Sequence, residues 1–314
     1  MFVVAGRINV DTVIELEAKL VLGGKTLAKR VLRVFGGSGL NAAVALKRLS
    51  PGSEVALVGC VGSDWEGREV LEFLRREGVS TLFVSILEGS TGRAFVILEP
   101  SGESTSITLP GVNASCVAPT HLKEVGDLEG VVVMNPPPEV CKAVLSLARE
   151  RGAVTVCDFG TETPRLLPVL RELAWEQAVF APTIHEIGSV EKGLEIAREL
   201  GIRVVIKAGS SGAIAIDPLE GVKARVPSLD PRELGLEPRS SSGCGDTFTA
   251  TLAAYLSKGS SLVNAVAHAI VAAAIKASRL EPFEAPTLSE LEQAFRAVGQ
   301  RILEGASIEP LTNR

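Results

Sequence analysis

From Gly130 to Lys207 short apolar runs and amphipathic segments alternate, and this order most constrains the fold. Val131–Met134, Val154–Cys157, Ala178–Ala181 and Arg203–Lys207 read as buried strands. Between them Pro138–Arg151, Leu166–Trp175 and Val190–Leu200 have helical periodicity, the first with Pro in its opening turn. Strands joined through helices pair in parallel, and the helices then cover both faces of the sheet. The expected class is α/β: a parallel-sheet αβα sandwich.

The first third is less regular. Val3–Ile8 reads as a strand, and Val13–Lys19 and Thr26–Val34 as β-rich segments around Gly23-Gly24. Gly39–Leu49 reads as a helix, Glu54–Val58 as a strand and Trp65–Glu77 as a helix ending at Gly78. Ala94–Leu98 and Ser104–Leu109 form a hairpin pattern across Pro100-Ser101-Gly102. The β-only stretches 12–35 and 92–110 break the alternation, and the expectation is that they leave the main sheet and pair as a small lid. Helices at 245–257, 260–278 and 287–304 close the chain, the middle one apolar nearly all round and therefore buried. The whole chain, 1–314, is expected to be one domain.

Composition excludes several functions. With 46% hydrophobic residues the chain can bury a large core, yet it has no apolar run long enough for a membrane span. The start, Met1-Phe2-Val3-Val4, lacks the basic region of a signal peptide. The net charge of −5 without a basic cluster argues against nucleic acid. Five cysteines without a C-x-x-C pair argue against a disulfide framework or zinc site and fit a reducing cytosol. Few Asn, Gln, Met and Cys fit a heat-adapted protein.

The chemistry concentrates at Ser242-Gly243-Cys244-Gly245-Asp246, immediately before an apolar helix. A helix start offers free N–H groups and a positive dipole end, and glycines let an anion approach the backbone. A carboxylate beside an anion site raises the cost of binding, unless it takes a proton from the group that attacks that anion. Asp246 beside such a cradle therefore points to phosphoryl transfer. The competing reading is an ordinary capped helix.

Other motifs fail on inspection. Gly37-x-Gly39-x-x-Ala42 has the letters of a dinucleotide fingerprint, but the next strand ends Val58-Gly59-Cys60 without the required carboxylate. Gly23-Gly24-Lys25-Thr26 would end a Walker A loop, but position 19 is Lys rather than Gly. No G-x-S-x-G elbow is present.

Asp11 after the first strand, Gly36-Gly37-Ser38-Gly39 with Asn41, Gly59-Cys60-Val61-Gly62-Ser63-Asp64, and Gly243-Cys244-Gly245-Asp246 occur in one order along the chain. This set resembles the ribokinase-like (PfkB-type) carbohydrate kinases over nearly the whole chain. The resemblance implies ATP and Mg²⁺ as cofactors and a small β lid over the acceptor. It makes Asp246 the base, and Gly243, Cys244 and Gly245 donors to the γ-phosphate. Asp11, Gly36, Gly37 and Asn41 would bind acceptor hydroxyls. Lys207, Gly209 and Gly212 would lie along the nucleotide, His268 and Ala272 would mark the helix lining the adenine pocket, and Arg165 would contact phosphate. Glu186 of Pro182-Thr183-Ile184-His185-Glu186 would organise Mg²⁺, with Thr183 in place of the family's Asn. Ser240-Ser241-Ser242 replaces the family's Asp-Thr-Thr, whose Asp helps to hold a monovalent cation, so potassium activation is not implied.

Sugar and nucleoside both remain open as acceptor. Phe35 and Phe95 are the lid aromatics on which a base could stack, and 4% aromatic content favours sugars. A ligand-binding protein of the same fold without turnover is the reading from another class. Cys244 at a helix start is either a reactive thiol or a small space filler. The exposed lid edge offers a homodimer surface.

Overall fold

The computed structural model describes residues 1–311. Strand β1 (Phe2–Gly6) is buried throughout and leads into β2 (Asn9–Leu16) and β3 (Ala28–Gly36). Helix α1 (Ser38–Leu49), β4 (Val55–Gly62), α2 (Trp65–Arg76), β5 (Val84–Leu87), β6 (Gly92–Leu98) and β7 (Ser104–Leu109) follow. The alternating half comprises β8 (Gly130–Met134), α3 (Pro138–Glu150), β9 (Thr155–Asp158), α4 (Thr163–Leu173), β10 (Ala178–Phe180), the single turn α5 (Ile184–Ile187), α6 (Val190–Leu200) and β11 (Arg203–Lys207). Strands β12 (Ala213–Asp217) and β13 (Val222–Val226), helices α7 (Cys244–Leu256), α8 (Leu262–Ala277) and α9 (Leu288–Glu304), and β14 (Ser307–Pro310) complete it.

The main sheet has ten strands in the order β14-β13-β12-β11-β10-β9-β8-β1-β4-β5. From β11 to β5 all neighbours run parallel. At the other edge β12, β13 and β14 add antiparallel strands, a departure from the all-parallel expectation. Hairpin connections need no helix crossover, so helix–strand alternation carries no trace of them. One face packs residues of α1, α2, α7, α8 and α9, the other residues of α3, α4 and α6. The apolar α8 is buried on most of its surface.

A separate four-stranded sheet, β3-β2-β6-β7, stands beside the main one. Its register aligns Asp11, Val34 and Ala94 across neighbouring strands, and the next row along aligns Thr12, Arg33 and Phe95. Successive side chains point to opposite faces, so Asp11 shares its face with Val13, Val96 and Leu98, and Phe95 points away from it. On the Asp11 face Val13, Val34, Ala94, Val96 and Leu98 cluster with Leu280.

Cys60 and Cys116 form a disulfide with their Cα atoms 5.6 Å apart. This corrects the expectation drawn from the cysteine pattern. The partners lie 56 residues apart, and only the packing of β4 against the turn after β7 brings them together. The cysteine argument for a reducing compartment falls with it, and intracellular disulfides are an established feature of heat-adapted proteins. Among the described residues, no helix is long and apolar enough to cross a membrane.

Candidate active site

Parallel sheets bind ligands at the carboxyl ends of their strands, and the polar residues of this chain gather there. Arg7 follows β1, Asn135 follows β8, Asp158 ends β9, Thr183 follows β10 and Lys207 ends β11. Helices α1 and α7 both begin at this level.

Gly243 caps α7 with φ +80°, and a Cβ there would sit 1.9 Å from the Pro282 carbonyl oxygen. A side chain is excluded both by conformation and by the loop behind it. Gly245 differs: a Cβ there would meet only Lys207 Nζ, at 3.9 Å, so the space beside it is open to a ligand. The ammonium of Lys207 pairs with the Asp158 carboxylate, which also accepts from Thr249 Oγ1 at 3.0 Å. The Cys244 N–H is taken up by the Ser241 carbonyl oxygen at 3.2 Å, so the start of α7 beside Gly245 and the Lys207 ammonium are what face the opening, an arrangement suited to a phosphate.

Asp246 is partly buried as the third residue of α7 and accepts a 2.7 Å hydrogen bond from Asn41 Nδ2. Burial pushes its pKa up from 3.8 to about 6, with Asp158 adding to the rise and Asn41, Lys207 and Ser38 opposing it. Asp11 is 6% exposed, and its pKa is raised to about 7, chiefly by burial and further by the Asp246 charge. Gly36 makes room for this carboxylate, since a Cβ would lie 2.1 Å from Asp11 Oδ2. Gly37, at φ +88°, begins α1 with the Arg7 carbonyl 2.6 Å from where its Cβ would be.

Three oxygens in this region, Asp11 Oδ1, Asn41 Oδ1 and Asn135 Oδ1, are buried without a hydrogen-bond partner. All three are acceptors. Buried polar atoms are rarely left unpaired, so the region is built to receive hydrogen-bond donors. Asn135 also has the one positive φ of a non-glycine among the described residues, +44°. Such conformations concentrate at functional sites.

On the far side of Gly245 a cleft of about 880 Å³ extends between the loop after β11 and the end of α8. Lys207, Gly209 and Gly212 line it, and the apolar wall is Ile270, Ala273, Ala274 and Ala277. The tip of the small sheet, Ser101 to Glu103, reaches the same cleft.

Several expectations need correction. His268 and Ala272 lie on the inner side of α8 and not on the cleft wall. The His268 ring is sandwiched between Tyr255 and Phe295, with Nδ1 2.9 Å from the Asn264 carbonyl oxygen. The residues that reach the cleft are offset from them by the helical period. Arg165 is 67% exposed, bound at 3.0 Å to Glu162, whose other oxygen holds Arg7 at 2.6 Å, and does not line the cleft. Phe35 stacks on Phe73 of α2, and Phe95 is on the face opposite Asp11, so neither offers a platform to the site. Burial raises the Cys244 pKa to about 11 against the opposing Lys276 ammonium, with Asp246 adding to the rise, which favours the space-filling reading. Asp64 caps α2, accepting from Gly67 N at 2.9 Å.

Glu186 closes a capping box with Thr183, accepting the Thr183 N–H at 2.7 Å through Oε2. Its Oε1 is turned towards Gly160. Among the described residues no cluster of three or more His, Cys, Asp or Glu stands ready for a metal. Mg²⁺ in nucleotide sites is held by one or two carboxylates, phosphates and water, and one free oxygen of Glu186 fits that pattern. Sequence reasoning gave no role to Asn135, Asp158 or Thr249. The available signal was a carboxylate ending a short apolar strand, Thr155–Asp158.

Comparison with known proteins shows the family and the fold. The model of the pfkB family carbohydrate kinases matches residues 1–286. A ribokinase of Lactococcus lactis is 25% identical over 93% of this chain and 96% of its own. Arabidopsis thaliana ribokinase, solved with ribose and ATP, superposes with a TM-score of 0.75 at 21% identity, covering 94% of this chain and 98% of that one. The Burkholderia thailandensis nucleoside kinase, solved with inosine, gives 0.79 at 21% identity, covering 95% and 97%.

Proposed function

Because the chain belongs to the pfkB family of carbohydrate kinases, we propose that it transfers the γ-phosphoryl group of ATP to a hydroxyl of a small sugar. The observation that carries this reading is the set of unpartnered acceptor oxygens on Asp11, Asn41 and Asn135 around Asp246. Hydroxyl groups are the donors that would satisfy them.

In this reading the sugar lies between Asp11 and Asp246, with the nucleotide in the cleft beyond Gly245. Asp246 accepts the proton as the acceptor oxygen bonds to phosphorus, and the bond from the γ-phosphorus to the bridging oxygen breaks to release ADP. The N–H groups of Gly243 and Gly245, with Lys207, take the charge on the transferring group, while the Cys244 N–H closes the turn onto the Ser241 carbonyl oxygen. Asp158 and Thr249 hold Lys207 in place. Mg²⁺, held through Glu186 and the phosphates, would neutralise phosphate charge. The small sheet acts as a lid that excludes water.

The aliphatic face of Val13, Val34, Ala94 and Val96 beside Asp11 supports a sugar over a nucleoside, because neither Phe35 nor Phe95 shares that face. A nucleoside is the second reading, supported by the likeness to the Burkholderia enzyme. Exposed Val31, Phe95 and Ile107 on the small sheet support self-association there, which sedimentation would test. The test of function is nucleotide turnover with Mg²⁺ against sugars and nucleosides, with Asp246→Asn as control. Stimulation by a sugar that the variant loses is the expected result. Stimulation by a nucleoside alone would move the substrate class. No stimulation by any acceptor would refute the kinase reading.

A further inference from the structure

Lys276 is the unexpected residue behind the site. It lies in the last turn of α8 and is 0% exposed. Isolated buried ammonium groups are strongly unfavourable, yet Lys276 Nζ donates a hydrogen bond to the Arg279 carbonyl oxygen at 3.1 Å. Among the described residues its ammonium forms no salt bridge with a carboxylate. Burial lowers its pKa, opposed by the neighbouring Cys244 and Asp246 on α7 and Glu284 in the loop after α8, with Arg279 of the same loop adding to the fall.

Three backbone segments meet at this point. The Ala277 carbonyl accepts from the N–H groups of Arg239 and Ser240. The loop after α8 places the Pro282 carbonyl against Gly243. Lys276 ties the start of that loop through Arg279. Its ammonium is therefore enclosed by the same turn that seats the N-terminus of α7. The C-terminal end of α8 supplies the negative pole that favours a cation.

We propose that the Lys276 ammonium is a built-in monovalent cation, a positioning residue that fixes the loop behind Gly243 and adds positive potential to the phosphate cradle. A cation held by backbone carbonyls in a buried loop can be a metal ion or an ammonium, and the chain carries the second on its own side chain. A metal ion does not fit beside it, because two cations would share one desolvated turn and Ser240 supplies no carboxylate to balance them. Turnover then needs no potassium. This inference rests on the kinase reading only for its turnover readout.

The experiment titrates potassium, with choline as the inert replacement, into wild type, Lys276→Ala and Lys276→Met. Acceptor-stimulated turnover and ADP affinity are both measured. Wild type is expected to be indifferent to potassium. Lys276→Ala, which opens a cavity of cation size, is expected to lose roughly ten- to a hundredfold in turnover, the range set by one lost charged hydrogen bond. Potassium or ammonium should restore much of that loss in Lys276→Ala, and neither should restore Lys276→Met, whose side chain fills the space. A merely structural lysine would not produce this cation-specific rescue. Potassium activation of wild type would overturn the proposal and needs no variant to fold. So would a Lys276→Ala protein that is unaffected, or impaired without rescue. Should no acceptor stimulate turnover, the kinase reading fails alone, and potassium dependence of ADP affinity in Lys276→Ala but not wild type still decides the role of Lys276.

Discussion

Replacing Asp246 by Asn should make this protein more stable and nearly inactive at once. The carboxylate is held in a site that raises its pKa from 3.8 to about 6, with burial as the largest cause. At about 1.36 kcal/mol per pH unit, that rise corresponds to about 3 kcal/mol of destabilisation once the group is ionised in the folded state. The sign follows from proton binding. Between the two pKa values the folded state holds more protons than the unfolded one, so this group's stability contribution falls as pH rises. The penalty is absent below the ordinary carboxylate pKa and complete above about 6. Asparagine carries no charge, and its carbonyl can still accept from Asn41. Part of the gain is lost in fitting the new amide, so the variant should gain about 1–3 kcal/mol near pH 8 and nothing near pH 3.5. Urea unfolding of both proteins at the two pH values measures the difference, and turnover should fall roughly 10²-fold or more. An equal difference at both pH values, or a destabilised variant near pH 8, would refute the burial argument. Near-native turnover would refute the base.

Three more outcomes follow from the same geometry. The pH profile of kcat/KM, which reports the free enzyme, should fall on the acid side through about 6, because the base must be unprotonated and its pKa is raised rather than lowered; a profile flat down to about 4 would contradict the assignment. Replacing Cys60 and Cys116 by Ala should lower stability by about 4 kcal/mol, the loop-closure entropy for a separation of 56 residues, as read by chemical denaturation. Phe95→Ala should leave the acceptor KM within about twofold, since the ring faces away from Asp11 and contributes no binding contact; a large rise would return the lid aromatics to the site.

Much of the site was legible because its chemistry is local in sequence. Gly243-Cys244-Gly245-Asp246 forms a cradle and a carboxylate within a few residues of backbone, and Gly36-Gly37 precedes a helix start in the same way. Asn41 was legible as a helix residue, but its bond to Asp246 spans 205 residues and depends on how α1 meets α7. His268 and Ala272 were misplaced because an almost wholly apolar helix has no pattern to say which side is core and which side is cleft. The lid strands were legible by composition, but the faces of Phe35 and Phe95 depend on pairing register.

The sequence by itself determined the parallel α/β order, the four β-rich segments outside it, the two glycine-rich helix starts and the carboxylate beside one of them. Each is set by periodicity or by backbone chemistry that needs no distant partner. Tertiary structure decided which charges meet. It joined Cys60 to Cys116, set Lys207 against Asp158, left Asp11, Asn41 and Asn135 with unpaired oxygens around one space, and enclosed Lys276 behind the cradle. Burial and long-range contact exist only once the sheet and its helices have packed, and they set the pKa values and unsatisfied hydrogen bonds on which the chemistry depends.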